Sequence, residues 1–236
     1  MRAIFLFLCA LLGIQQLEAQ TSTFNTLLQT HVSEDGFVDY NGLKANETTL
    51  DSYIAYLKET NPDKSWSANK QKAFWINAYN AYTLKLILEN YPTKSIMNIN
   101  KDGKTAWKIP FAMVGGKTYT LDHIEHEILR KALFDSRIHV GVNCASISCP
   151  KLSNIAFTEE NIDSELDRLM KAFINDASRN KISKKKIEIS EIFNWFKDDF
   201  TKEGSIVDYF NKYASTPVKA NAKIRFLPYN WNLNGK

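Results

Sequence analysis

The chain has 236 residues, 44% of them hydrophobic and 24% charged. That is the composition of an ordinary globular protein with one well-buried core, and it excludes a disordered or fibrous chain. Lys and Arg number 30 against 26 Asp and Glu, so the formal net charge is only +4. The lysines are spread along the sequence. Their densest run, KISKKKIEIS from Lys181, reads as a solvated turn entering a strand, and nucleic acid is not an expected partner.

The first twenty residues, MRAIFLFLCALLGIQQLEAQ, stand apart. A basic start at Arg2 precedes an apolar run from Ala3 to Ile14. The run has the length of a signal-peptide core and is too short to cross a bilayer comfortably. Gln15 and Gln16 then lead to small Ala19. The pattern predicts a secretory signal cut after Ala19 or Gln20, and so an exported protein, periplasmic or extracellular. Cys9 follows Leu8, whereas a lipid-modified cysteine usually follows a small residue, so no anchor is expected. No later stretch reads as a transmembrane segment. Residues 21–236 contain no repeat, low-complexity tract or long linker and are read as a single domain.

Residues 23–31 predict a short helix, and EDGFVDYNGL a turn at Asp35-Gly36. Leu50, Tyr53, Ile54 and Leu57 recur at helical spacing over residues 48–60, and Pro62 ends that element. Residues 67–90 predict a central helix, because QKAFWINAYNAYTLKLILEN is apolar nearly all round from Ala73 to Leu88. Asn77 and Asn80 share one face of it and, if buried, must find hydrogen-bond partners. They either tie the helix to neighbouring loop backbone or line a polar site beside the core. AWKIPFAMVGGKTYTL predicts a β-hairpin around Gly115-Gly116. Thr120 then caps a helix that begins LDHIEHEILRKAL, and RIHVGV reads as a short strand. There follow a long helix in TEENIDSELDRLMKAFINDA, a strand in KIEIS, helices in EIFNWFKDDF and SIVDYFNKYA, and a closing strand in KIRFLPYNWNLN. The expected fold class is α+β: a helix-rich single domain with a small antiparallel sheet.

The chemistry concentrates in RIHVGVNCASISCPKL, residues 137–152, which holds the only cysteines beyond the leader. The C-x4-C spacing of Cys144 and Cys149 fits neither a C-x2-C redox site nor a zinc knuckle. An oxidising compartment favours a disulfide between them, worth about 2 kcal/mol for so short a loop. A nucleophilic Cys144 would instead need a base. If the chain is extended, His139 lies roughly 16 Å away and on the opposite face, so it serves only if the chain turns near Asn143. His126, on the preceding helix, is the rival base. His123, three residues before it, shares its face. Asp122 and Glu125 suit the dipole of the first turn, and Glu125 could pair with Arg130. Asn143 and the backbone amides of CASIS could stabilise developing negative charge. A metal would have to draw on His123, His126, His139, Cys144 and Cys149. HIEHE is not H-E-x-x-H, and no other ligand spacing is recognised, so no metal or cofactor is expected.

Taken together, DGFVDYNGL (35–43), FWINAYNAYTL (74–84), GKTYTLDHIEHEILR (116–130), the cysteine stretch, EIFNWFKDDF (191–200) and LPYNWNLN (227–234) resemble the domain of unknown function 547 family over nearly all of the mature chain. The resemblance maps the family's His, Asn-Cys and Ser-Cys-Pro positions onto His139, Asn143, Cys144, Ser148, Cys149 and Pro150. It maps a second motif onto Ile124, Glu125, His126, Leu129 and Arg130. It implies that these residues form a site, and it implies an exported bacterial member. It does not supply a reaction. Glutaredoxin-like fusions in some eukaryotic members hint at thiol chemistry. A buried helix followed by a His-bearing strand also suggests a distant papain- or transglutaminase-like arrangement, an analogy of fold only.

The leading expectation is a thiol-dependent hydrolase or acyl-transferase acting on a peptide or small molecule. Cys144 would be the nucleophile, with His139 or His126 as base. Two alternatives stand beside it: a non-enzymatic secreted domain stapled by a Cys144–Cys149 disulfide, and a thiol–disulfide redox protein.

Overall fold

Helix α4 (Ala68–Glu89) is apolar almost all round, and nearly every residue from Lys72 to Leu88 is buried, so the rest of the chain wraps it. The computed structural model describes residues 19–236. All but the last two residues of the predicted signal lie outside the described residues. Those two open α1 (residues 19–31).

Ser67 starts α4 by accepting the Lys70 N–H at its side chain. On one side lie α1, α2 (Tyr40–Ala45) and α3 (Glu47–Glu59). Helix α3 buries the expected stripe of Leu50, Tyr53, Ile54 and Leu57 and packs on α4. Each of those side chains contributes about 2 kcal/mol of apolar burial. On the other side a helix over His123–Ala132 packs against α4, as does α6 (Ile162–Asn175), which carries α5 (Ile138–Gly141). Gly141 is closely packed: a Cβ there would sit 3.0 Å from Ile76 Cδ1 and from Leu166 Cδ2, so those side chains would have to give way. Short α7 (Ile192–Trp195) and α8 (Lys197–Phe200) precede α9 (Ile206–Tyr213), which opens with a Ser205/Asp208 capping box.

Strands are few. β1 (Asn100–Lys101) pairs with β2 (Lys104–Thr105), and β3 (Ala112–Val114) with β4 (Lys117–Tyr119), both antiparallel. The third sheet has the order β5 (Lys181–Ile182), β6 (Lys186–Ser190), β7 (Lys223–Leu227). β5–β6 is a hairpin. β7 runs parallel to β6, because α7 to α9 intervene as the crossover that a parallel pair needs. The protein is thus helix-rich α+β with small sheets.

Three expected elements differ. RIHVGV forms no strand; its core is helix α5, and all four residues of that helix are buried. A short run buried on every side has no polar face, so periodicity cannot separate strand from helix. EIFNWFKDDF is two helices interrupted at Phe196. The helix over His123–Ala132 is a π-helix, a rare winding that is frequent at functional sites.

Candidate active site

The loop after α5 is fastened before it does any chemistry. Asn80 Nδ2 donates to the Gly141 carbonyl at 2.8 Å, and Asn80 Oδ1 accepts the Asn143 N–H at 2.9 Å. Asn143 then spends both ends of its amide inside the loop. Its Oδ1 accepts the Ala145 N–H and its Nδ2 donates to the Pro150 carbonyl, each at 2.8 Å. These bonds hold Ala145 at φ +56°, a left-handed conformation that costs a residue with a Cβ about 1 kcal/mol. Asn77 ties α4 to both backbone groups of Phe157, at 2.7 and 3.0 Å. Of the two readings of Asn77 and Asn80, the structure shows the ties to loop backbone. Asn143 likewise acts as a clamp, with Oδ1 and Nδ2 each bonded within the loop.

The turn delivers Cys144 to a cleft of about 230 Å³. Its sulfur lies 3.1 Å from Ser146 Oγ and 3.3 Å from the Tyr229 hydroxyl. Its backbone N–H donates to Cys149 Sγ at 3.2 Å. Both cysteines are free, so the expected staple is not formed here. A hydrogen bond from Cys149 is the strongest influence on the Cys144 thiol. Burial opposes it, Ser146 and Tyr229 reinforce it, and the thiol is pulled down to about 7. Burial and the neighbouring Cys144 charge push Cys149 the other way, well above an ordinary thiol. Burial, together with the two thiols, also raises Tyr229, which keeps its hydroxyl as a donor.

Neither candidate histidine hydrogen-bonds Cys144. His139 Nε2 lies 2.8 Å from Asp199 Oδ2, and its ring stacks on Phe196 at 4.1 Å. Burial lowers its pKa, with Arg130 and His126 adding to the effect against Asp199, so the ring is neutral, with Nδ1 buried and unpartnered. His126 Nδ1 is 3.1 Å from Arg130 Nη1. A guanidinium only donates, so that nitrogen is the acceptor. Arg130 Nε donates to Asp199 Oδ2 at 2.6 Å, which completes a chain from His126 through Arg130 and Asp199 to His139. Burial opposes ionisation of Asp199, but the bonds from His139 and Arg130 hold its carboxyl well below the usual range. Arg130 is therefore Asp199's partner, and the expected Glu125–Arg130 pair is absent.

Glu125 instead opens into the cleft beside Cys144. Burial raises its pKa, and neighbouring His126 and a Tyr79 hydrogen bond only moderate that rise. The π-helix explains the geometry. Its i→i+5 bonding widens the turn, so residues four apart still share a face while residues three apart no longer do. Asp122, His126 and Arg130 form one row, with Asp122 Oδ1 3.9 Å from His126 Nε2. His123 is turned out to solvent against the Tyr119 ring. Among the described residues no three His, Cys, Asp or Glu side chains converge as metal ligands.

Trp107, Trp195, Phe196 and Trp231 form the cleft's aromatic walls. Trp195 is 45% exposed at the mouth, stacked on Trp231 at 5.7 Å and touching Tyr229 at 4.8 Å. Sequence reasoning missed Ser146, Tyr229, Asp199 and Tyr79 as site residues. Each lies inside one of the motif stretches quoted above, which was the available signal.

Fold and cleft together define a helix-rich α+β protein that holds two free thiols beside an ionisable wall. Residues 64–174 match the family model described as a protein of unknown function, DUF547, and the chain belongs to that family. The matched segment carries α4, the π-helix and the cysteine loop, while Asp199, Tyr229 and Trp231 lie beyond it. No curated protein and no solved structure matches the chain. No described helix is long and apolar enough to cross a membrane.

Proposed function

We propose that the cleft is a thiol-dependent active site of an exported hydrolase or acyl-transferase, with Cys144 as nucleophile and a peptide or small-molecule acyl donor as substrate. The observation that carries this reading is the Cys144 sulfur. It is ringed by the Ser146 and Tyr229 hydroxyls at 3.1 and 3.3 Å and faces a cleft shared with Glu125 and His126. The thiolate attacks the acyl carbon, a C–S bond forms, and the bond to the leaving group breaks. Glu125, whose burial favours the protonated form, gives its proton to the leaving group. Water or an acceptor then attacks the thioester, its proton returns to Glu125, and the thiolate departs. His126 faces the substrate, with its ring fixed by Arg130. His139 acts at one remove, holding Asp199 and through it Arg130.

Acyl transfer is tested with a panel of activated esters, thioesters and peptides. Cys144→Ala is expected to abolish turnover and labelling by electrophilic probes, and unchanged turnover would overturn the proposal. A second reading rests on Cys149, whose thiol is buried, raised and hydrogen-bonded to Cys144, as a resolving thiol would be. In thiol–disulfide exchange Cys144 attacks a substrate disulfide and Cys149 then displaces the substrate thiol. Cys149→Ser separates the two, since exchange stops at the mixed disulfide while acyl transfer continues.

A further inference from the structure

The cleft that holds Cys144 is short of one sign of charge. Among the described residues no Lys or Arg lines it, while Asp122, Glu125 and the Cys144 sulfur do. Arg130, one turn past His126, is committed to Asp199 at 2.6 Å. Asp122 has only a loose contact with His126, at 3.9 Å. Glu125 is 7% exposed and forms no ion pair among the described residues. Buried charges need partners, so a carboxyl that opens into a cleft without one is suited to a cation brought by a ligand. Even when protonated, Glu125 keeps a carbonyl oxygen to offer.

The walls favour the same sign. Indole attracts cations more strongly than the other aromatic rings, and Trp107, Trp195 and Trp231 line the cleft. The aromatic wall already holds one cation: the Arg130 guanidinium lies 4.8 Å over the Phe196 ring. Other ligand classes fit less well. Among the described residues no Asn, Gln, Ser or Thr lines the cleft, so a sugar would leave hydroxyls unpaired. An anion would meet carboxyls and a thiolate with no lining cation to offset them. A purely apolar group would desolvate Asp122 and Glu125 without return. At about 230 Å³ the cleft is smaller than the roughly 300–1,000 Å³ of pockets for drug-sized ligands, so one small group or one side chain enters. A cation there would also give the Cys144 thiolate the positive neighbour that the fold does not supply. We propose that the cleft selects substrates carrying a small cationic group, an ammonium or alkylated amine, held by the indoles and by Asp122 and Glu125. It rests on Cys144 facing the substrate as nucleophile, as proposed above.

The test uses three methanethiosulfonates on the whole mature chain: trimethylammonioethyl, its uncharged isostere 3,3-dimethylbutyl, and sulfonatoethyl. Each forms a disulfide with the Cys144 thiolate and releases methanesulfinate. Loss of the Cys144 thiol is followed by mass spectrometry, so later displacement by Cys149 does not alter the rate. Rates are normalised to those of an uncharged free thiol, N-acetylcysteine amide. The cationic reagent is expected to react about tenfold faster than its isostere, and the sulfonate more slowly than either. Asp122→Asn should reduce the cation preference about threefold, and Trp195→Leu by a similar factor. The ratio within one variant cancels any change in thiol reactivity. Equal normalised rates for cation and isostere, or a preference for the sulfonate, overturn the inference. So does a preference that both variants leave intact. No turnover is needed, so a cation preference beside an inert acyl panel overturns acyl transfer alone. Failure of all three reagents to modify Cys144 overturns both.

Discussion

Asn80 and Cys144 are polar neighbours of the same loop, both placed where water is scarce, and the loop uses them in opposite ways. Asn80 has both ends of its amide matched to backbone, at 2.8 and 2.9 Å. Cys144 has donors around its sulfur but no fixed cation, and it faces a cleft. A fully matched buried group stiffens a structure, whereas a group stabilised in its charged form and left open on one side is poised to react. The clamp makes the second condition possible, because it holds the turn that aims the sulfur.

Four substitutions would break or sharpen that contrast. The largest expected effect is from Cys144→Ala, which should eliminate rapid iodoacetamide labelling near neutral pH while the melting midpoint moves by only a few degrees. A large stability loss would mean that the thiol is structural. Asn80→Ala should do the reverse, because it strands the Gly141 carbonyl and the Asn143 N–H. Urea unfolding should show a loss of about 3 kcal/mol. Asp199→Asn should flatten the acid limb of stability. The Asp199 carboxyl titrates lower in the folded chain than in the unfolded one, so its contribution is present above about pH 4 and is lost as pH falls toward the native value. An unaltered acid limb in the variant would remove Asp199 from the network's electrostatics. The smallest effect concerns the thiol's tuning. Alkylation of Cys144 should rise with pH through a midpoint of about 7. Tyr229→Phe should move that midpoint up by about half to one pH unit, the value of one hydrogen bond. A midpoint that stays in place would show that Cys149 and Ser146 suffice.

What was legible in the sequence follows the same division. Helix α4 could be read because its apolar surface is continuous and its asparagines are conspicuous within it, and the amide ties could be anticipated from the cost of burying them alone. Cys144, Cys149, His126 and Glu125 could be placed together because one motif order carries them. α5 could not be read, since four buried residues have no exposed face to reveal a period. The π-helix was invisible as well: its residues fit an α pattern equally well, and only the wider turn separates His123 from His126. Asp199 and Tyr229 were hidden by distance along the chain, as carboxylate and phenol become site residues only through tertiary packing against His139 and Cys144.

The provenance of Tyr229 sets the order in which this protein becomes reactive. The phenol that helps hold the Cys144 thiolate is supplied 85 residues later in the chain. At ribosomal speeds of about 5–20 residues per second, the thiol is made roughly 4–17 seconds before the group that helps acidify it. Through that interval Cys144 is closer to an ordinary cysteine, mostly protonated at neutral pH and slow toward electrophiles. The nucleophile is armed late, when β7 has joined β6 and carried Tyr229 to the cleft.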